Sequence, residues 1–345
     1  MIVETKGNLL DAPAEALVNT VNTVGVMGKG IALQFKHAFP DNFVIYEREC
    51  KAGNVKPGRM LVVENHALSG PRFIINFPTK RHWRGRARLD DIESGLADLV
   101  NEVKNRGICS VAVPPLGCGN GGLEWQDVRP RIVNAFQGLA GVTVYLFSPG
   151  DVPSPDQMAI RTKRPKMTAA AAALIGILGR YARFDYRLSL LEIHKLVYFL
   201  KVAGEPLSRT EFEKKAYGPY ADNLRHVLNR LEGHYLRGFG DASKNTPDTQ
   251  IWLLPGAEAE AEEYLNQKPE TLARFDKVAE LIDGFETPYG IELLSSVHWV
   301  ATFENHLSED AAVDGIRSWS RRKASLFPEK HIRLAWQRLH EESWI

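Results

Sequence analysis

The chain reads as an α/β layered domain with a largely parallel sheet, followed by a mainly α-helical domain. Three observations carry that reading. Through about residue 150, apolar runs of strand length alternate with amphipathic segments of helix length, the order that builds a layered domain around a parallel sheet. From residue 169 onward, apolar residues recur instead at three- and four-residue spacing, the period of a helix face. Between these textures, "SPGDVPSPDQMAIRTKRPKMT" (residues 148–168) carries four prolines, a basic cluster and little periodicity, as a linker does.

Taken in order, "EALVNTV" (15–21), "GRMLVVENH" (58–66), "RFIINFP" (72–78), "CSVAVPPL" (109–116) and "VTVYLFSP" (142–149) are predicted strands. Segments 30–50, 89–107 and 123–139 are predicted helices between them. In the second half, 169–184, 189–204, 220–233, 258–267 and 271–285 are predicted helices, with a short hairpin around "QIWLLP" (250–255). The domains are placed at 1–155 and 168–345, with the linker at 156–167.

Composition narrows the class of protein. With 345 residues, 44% hydrophobic and 25% charged, the chain suits two globular domains. No apolar run approaches the roughly 18 residues of a membrane helix, and the first residues lack a signal-peptide pattern, so a cytoplasmic protein without a membrane partner is expected. Three cysteines at wide spacing (Cys50, Cys109, Cys118) give neither a disulfide framework nor a zinc pattern, and no metal site is expected. Residues 1–165 hold 20 basic and 16 acidic side chains, the remainder 23 and 26. The first half thus tilts basic, compatible with a nucleic-acid ligand.

Two glycine-rich segments stand at predicted strand ends. "GCGNGG" (117–122) fits GxGxxG, but the next strand ends "YLFSP" without the carboxylate that a dinucleotide-binding unit uses for a ribose, which speaks against an NAD-dependent dehydrogenase. "NTVGVMGKGIA" (22–32) lacks the GKS or GKT ending of a P-loop. Either segment alone is explained by a tight turn. Together, at the ends of parallel strands, their backbone amides suit a diphosphate. "FIINFPTK" (73–80) adds a lysine at the mouth of an otherwise apolar strand, with Pro78 expected to end the ladder and Thr79 to turn the chain.

In order, "KGNLLDAPAEALVNTVNTVGVMGKGIALQF", "NFPTKRHW" and "VPPLGCGNGGLEW" resemble the successive signatures of a macrodomain, an ADP-ribose-binding fold, over residues 1 to about 155. The pairing of the first two is similar to DarG-type antitoxins, DNA ADP-ribosyl glycohydrolases that oppose DarT-type toxins modifying thymine in single-stranded DNA. The resemblance implies a three-layer α/β/α macrodomain with a mixed, mostly parallel sheet, and no cofactor, ADP-ribose being part of the substrate. It implies that Asn8 and Leu9 lie at the adenine; many macrodomains have aspartate where Asn8 stands. Gly28, Gly30 and Ile31, with Gly117, Cys118, Gly119, Asn120, Gly121, Gly122 and Leu123, would wrap the diphosphate and distal ribose, with Thr79 nearby. Asn22 would bind the distal ribose hydroxyls, whereas Asn19 is read as structural.

The same resemblance puts Lys80 against the anomeric carbon that bears the base. Its amine would attack that carbon and pass through a Schiff base, or its ammonium would stabilise the departing thymine while water attacks. A related subgroup acting on glutamate adducts carries aspartate where this chain has Gly121. Arg81, His82, Trp83, Arg84 and Arg86 interleave cations and aromatics beside the site and are candidate DNA contacts; His82 is also weighed as an acid. In the second half, "LEIHKLVYFLKVAGEPL" and "FEKKAYGPYADNL" resemble the helical Panacea antitoxin domain, expected to bind the paired toxin directly. There "YGPY" would form a rigid turn presenting Tyr217 and Tyr220, and the acidic stretch 258–265 is a helix face or a mimic of a DNA backbone. The competing functions are an ADP-ribose reader without catalysis, and a hydrolase of ADP-ribosylated protein carboxylates or O-acetyl-ADP-ribose.

Overall fold

Apolar strands of the first half pair into one six-stranded sheet in a computed structural model that describes residues 1–67, 69–182, 186–207 and 210–345. The strands are β1 (Ile2–Thr5), β2 (Ala16–Asn22), β3 (Leu61–Glu64), β4 (Phe73–Lys80), β5 (Ser110–Val113) and β6 (Thr143–Phe147), in the order β1-β6-β5-β2-β4-β3. All neighbours are parallel except β3, which runs antiparallel to β4. The helices are α1 (Ile31–Ala38), α2 (Pro40–Lys51), α3 (Leu89–Asn105) and α4 (Trp125–Phe136).

Because side chains alternate across a strand, each face of β4 builds a different core. Phe73, Ile75 and Phe77 pack with Ile92, Leu96 and Leu99 of α3 and with Val128 and Ile132 of α4. Ile74 joins Leu17 and Ala112 against Phe35 and Ala38 of α1. Three layers result, with the sheet in the middle. The seat of α3 is tight: a Cβ on Gly95 would lie 2.3 Å from Cζ of Phe77, so only glycine lets the ring under the helix.

Three local expectations change. β1 was not among the predicted strands; it adds to the sheet through a four-residue register with β6. Segment 30–50 is two helices rather than one, broken at Phe39 (φ −133°, ψ 70°), with Pro40 opening α2 where its missing N–H is harmless. Pro78 does not end the ladder: it pairs in register with Val21, and the strand continues to Lys80. The pairing of β3 ends at Asn76, so Pro78 lies where, among the described residues, β4 has β2 alone as its neighbour, a position that tolerates proline.

The chain divides into two units, one comprising Met1–Lys163 with Gly240–Lys244, the other Arg164–Phe239 with Asn245–Ile345. The second contains α5 (Ala169–Tyr181), α6 (Leu190–Val202), α7 (Leu224–Leu231), α8 (Ala257–Asn266), α9 (Pro269–Ile282), α10 (Pro288–Phe303), α11 (Glu309–Trp319), α12 (Arg321–Leu326) and α13 (Glu329–Glu341). Predicted segment 169–184 runs past α5 into residues outside those described. α6 opens with a capping box, Ser189 and Glu192 closing each other's free backbone groups. The expected hairpin at 250–255 is the centre of a three-stranded sheet: β11 (Gln250–Leu253) pairs with β7 (Leu188–Ser189) and β10 (Leu236–Arg237). A second hairpin joins β8 (Glu213–Lys215) to β9 (Gly218–Tyr220). Among the described residues, no helix is long and apolar enough to cross a membrane.

Candidate functional site

Parallel strands bring the segments that follow β1, β2, β4, β5 and β6 to one edge of the sheet, where ligands of such folds bind. The β2–β4 register runs evenly from Ala16 opposite Phe73 to Val21 opposite Pro78, then shifts so that Asn22 stands opposite Lys80. Thr79 is the residue passed over. It is buried and its hydroxyl donates to the Val21 carbonyl at 3.4 Å. Lys80 is thereby placed at the strand mouth, where its Nζ donates to the carbonyls of Trp83 (3.1 Å) and Asn120 (3.0 Å). Partial burial pulls its amine below the ordinary lysine value.

Among the described residues, two carbonyl acceptors leave one position on that nitrogen free. In the ammonium it is a third N–H; in the neutral amine it is the lone pair. The same geometry therefore serves charge stabilisation or nucleophilic attack.

Asn22 is engaged with its own loop. Its Oδ1 accepts from the amides of Val24 (3.0 Å) and Val26 (3.3 Å), and its Nδ2 donates to the Val26 carbonyl at 2.6 Å. Tyr46 of α2, fully buried, donates to the Asn22 carbonyl (2.8 Å) and also lies 3.2 Å from Oδ1. These bonds shape residues 23–30, and Met27 fixes that loop from below in a cluster with Val21, Tyr46 and Val55. Asn19, read as structural, is fully buried and donates to Asn76 at 3.0 Å.

The two glycine-rich segments meet. Gly30 has φ +63°, and a Cβ there would lie 3.4 Å from Nδ2 of Asn120. Its amide donates to the carbonyl of Asp241 (2.8 Å), whose carboxylate accepts from Gln34 of α1 (2.6 Å), so the Gly240–Lys244 segment of this unit buttresses the start of α1. Gly28 is exposed and Ile31 half-buried. In the second segment the Leu123 amide donates to Gly117, and the Gly122 amide to Gly119. A Cβ on Gly121 would lie 2.3 Å from the Gly117 carbonyl oxygen and 2.9 Å from Cβ of Ala87. Aspartate at this position therefore does not fit the loop as folded. Burial, with Glu124 and Asp127 nearby, pushes the Cys118 thiol up to about 11, which keeps it protonated and poorly nucleophilic.

Residues 81–88 form the basic rim. Trp83 is 39% exposed, with the Arg84 guanidinium 4.5 Å from its ring centroid and the His82 ring at 5.4 Å. Nδ1 of His82 accepts from the Arg84 amide at 3.2 Å, so that nitrogen serves the turn. Arg86 is exposed, whereas Arg81 forms a two-pronged ion pair with Asp91 at 2.5 and 3.0 Å.

At the other edge of the site, Asn8 caps a single 3-10 turn, accepting from Leu10 (3.1 Å) and donating to Asp11 (2.9 Å), while Leu9 is buried in the core. Asp151 accepts from the Gly7 amide at 3.2 Å, so two carboxylates flank the position where Asn8 lacks one. β1 is four steps from β4 in the sheet, about 19 Å at the usual spacing of roughly 4.8 Å. Among the described residues, no cluster of histidine, cysteine or carboxylate side chains could hold a metal ion.

The Macro domain family matches residues 18–132. A DNA ADP-ribosyl glycohydrolase of Thermus aquaticus is 46% identical over 335 residues, covering 97% of this chain and 92% of that protein. This chain belongs to the DNA ADP-ribosyl glycohydrolase family. The macrodomain of Mycobacterium tuberculosis DarG is 55% identical over 44% of this chain and 99% of its own, with a TM-score of 0.43. A DNA ADP-ribosyl transferase-DNA ADP-ribosyl glycohydrolase fusion protein of Thermosipho africanus is 35% identical over 166 residues, 44% of this chain and 42% of that protein.

In this member of the DNA ADP-ribosyl glycohydrolase family, four residues that touch the site went unread in the sequence: Tyr46, Asp91, Asp241 and Gln34. Each acts through a partner 10 to 207 positions away, a separation that no spacing rule registers. In the helical unit, Gly218 and Pro219 lie in β9 rather than in a turn, which falls at Ala216 and Tyr217. The Pro219 carbonyl accepts from buried Lys195 at 2.6 Å, Tyr220 stacks on His194 at 3.9 Å, and Tyr217, 37% exposed, lies 4.5 Å from the Arg322 guanidinium.

Proposed function

We propose that the first unit cleaves ADP-ribose from thymine in single-stranded DNA through Lys80, and that the helical unit binds and blocks a DarT-type DNA ADP-ribosyltransferase. The chain is a DNA ADP-ribosyl glycohydrolase by family. The observation that carries the assignment of Lys80 is its Nζ, suspended between the Asn120 carbonyl of the glycine loop and the Trp83 carbonyl of the basic rim. A group at that junction addresses the ribose from one side and the base from the other.

The lowered basicity of Lys80 favours the amine as nucleophile. Nζ bonds to the anomeric carbon as the bond to the thymine nitrogen breaks, and that nitrogen takes up a proton. The ribose ring opens to a Schiff base, water adds at the same carbon, and lysine and ADP-ribose are released. Gly30, Asn120 and their neighbours hold the diphosphate and distal ribose, Asn22 keeps the first loop in shape, and the span from β4 to β1 suits an extended ligand with its adenine at Asn8. Trp83, Arg84 and Arg86 take the flanking DNA.

Turnover of an ADP-ribosylated thymidine oligonucleotide, with a glutamate-modified protein in parallel, tests the reading. Activity on DNA alone, reduced by at least about 10²-fold in Lys80→Ala, is expected; unchanged turnover in that variant refutes the role of Lys80. For the helical unit, the full chain is expected to bind the transferase in a pull-down and Tyr217→Ala to bind it more weakly, and no binding by the wild-type chain removes the antitoxin reading.

A further inference from the structure

Lys80 is followed at once by the only arginine of the rim whose guanidinium is held by a buried carboxylate among the described residues. Asp91, 8% exposed, lies in the first turn of α3, where the helix amides favour negative charge. Both prongs of Arg81 reach it, at 2.5 and 3.0 Å, a geometry that fixes direction as well as distance. The Arg81 carbonyl accepts from the Thr23 hydroxyl at 2.7 Å, tying the same residue to the loop after β2. At the far end of the rim, the Ala87 amide donates to the Gly121 carbonyl at 3.0 Å. Between these anchors lies the Trp83 carbonyl, one of the two acceptors that aim Nζ of Lys80.

We infer that Asp91 is a positioning residue: through Arg81 it sets the path of residues 81–87 and so the direction of the Lys80 amine. The inference rests on the reading of Lys80 as the reacting group. Arg81 is then a strut rather than a phosphate contact. Loosening it displaces Lys80 from the reacting carbon while leaving the diphosphate loops in place, so turnover falls and binding does not.

The experiment measures kcat and KM on ADP-ribosylated oligonucleotide, and affinity for free ADP-ribose by calorimetry, in Asp91→Asn, Arg81→Gln, the double variant and Lys80→Ala. A misplacement of about 1 Å lowers rate by about 10²-fold, so a fall in kcat of that order is expected in both single variants, with KM and ADP-ribose affinity unchanged. The double variant is expected to be no worse than either single, because the two residues act as one device. Exposed Arg81 is replaced without opening the core, which keeps the test informative where Asp91→Asn folds poorly. Wild-type kcat in both singles, a loss confined to KM, or additive losses in the double overturn the inference. Full activity in Lys80→Ala overturns the reading of Lys80 and this inference with it; an inactive Lys80→Ala beside a fully active Asp91→Asn overturns the inference alone.

Discussion

Asn22 and Lys80 are cross-strand partners at the carboxyl ends of β2 and β4, and they are brought into register because Thr79 is passed over in the ladder. Such an offset locally breaks the two-residue alternation and re-aims the side chain that follows it. One residue therefore maintains the loop that follows β2 while the residue opposite holds its nitrogen at the strand mouth, between the Trp83 and Asn120 carbonyls.

The lowered basicity of Lys80 has a direction that can be measured. A nucleophilic amine must be neutral, so turnover is expected to rise with pH along a limb whose midpoint lies below 10.5, the ordinary lysine value. Borohydride added during turnover is expected to trap ADP-ribose on Lys80, read by mass spectrometry. A limb absent from the wild type, with no adduct, excludes the covalent route.

Gly121→Asp places a side chain where a Cβ already lies 2.3 Å from the Gly117 oxygen. Overpacking of this kind destabilises by about 1–3 kcal/mol. Calorimetry is expected to record weaker ADP-ribose binding together with a lower melting temperature, and unchanged binding contradicts the packing argument.

Trp83→Ala removes the exposed ring that Arg84 and His82 flank. Stacking of one base is worth about 1–3 kcal/mol, so affinity for modified oligonucleotide is expected to fall by that amount while free ADP-ribose binds as before. Equal losses for both ligands place Trp83 in the ADP-ribose pocket instead.

Lys195 in the helical unit lies beneath β9, its amine lowered to about 7 by burial and then by the like charge of Lys323; Glu292 opposes that shift. Its pKa in the folded state is below the unfolded value of roughly 10.4, so between about 7 and 10.4 the unfolded chain holds more protons and stability rises with pH. Thermal melting across that window is expected to show a steeper rise in the wild type than in Lys195→Met. Identical slopes refute a buried, titrating Lys195.

The alternation of elements in the first half was legible because its strands are continuous apolar runs and its helices are amphipathic. β1 escaped because "IVET" is short, carries a glutamate and gains its partner only from β6. The break between α1 and α2 had a visible signal in Pro40, overridden by the apolar periodicity around it. α10 is buried almost all round, which blurs a helical period. At the site, the two glycine loops were legible as strand-end turns, which approach each other at Gly30 and Asn120, and the role proposed for Lys80 rests on family likeness. The offset at Thr79 and the Arg81–Asp91 pair depend on register and distant partners, which leave no trace in local spacing.

Gly95 lies one turn after Asp91, on the same side of α3, with the ring of Phe77 directly beneath it. A thermostability programme would mark that glycine for replacement, since alanine in mid-helix is ordinarily worth about 0.5–1 kcal/mol more. Here the added methyl would lift the helix off the sheet and carry Asp91 with it. The position is closed to a routine improvement, and the reason lies in how closely α3 must sit on the sheet at Phe77.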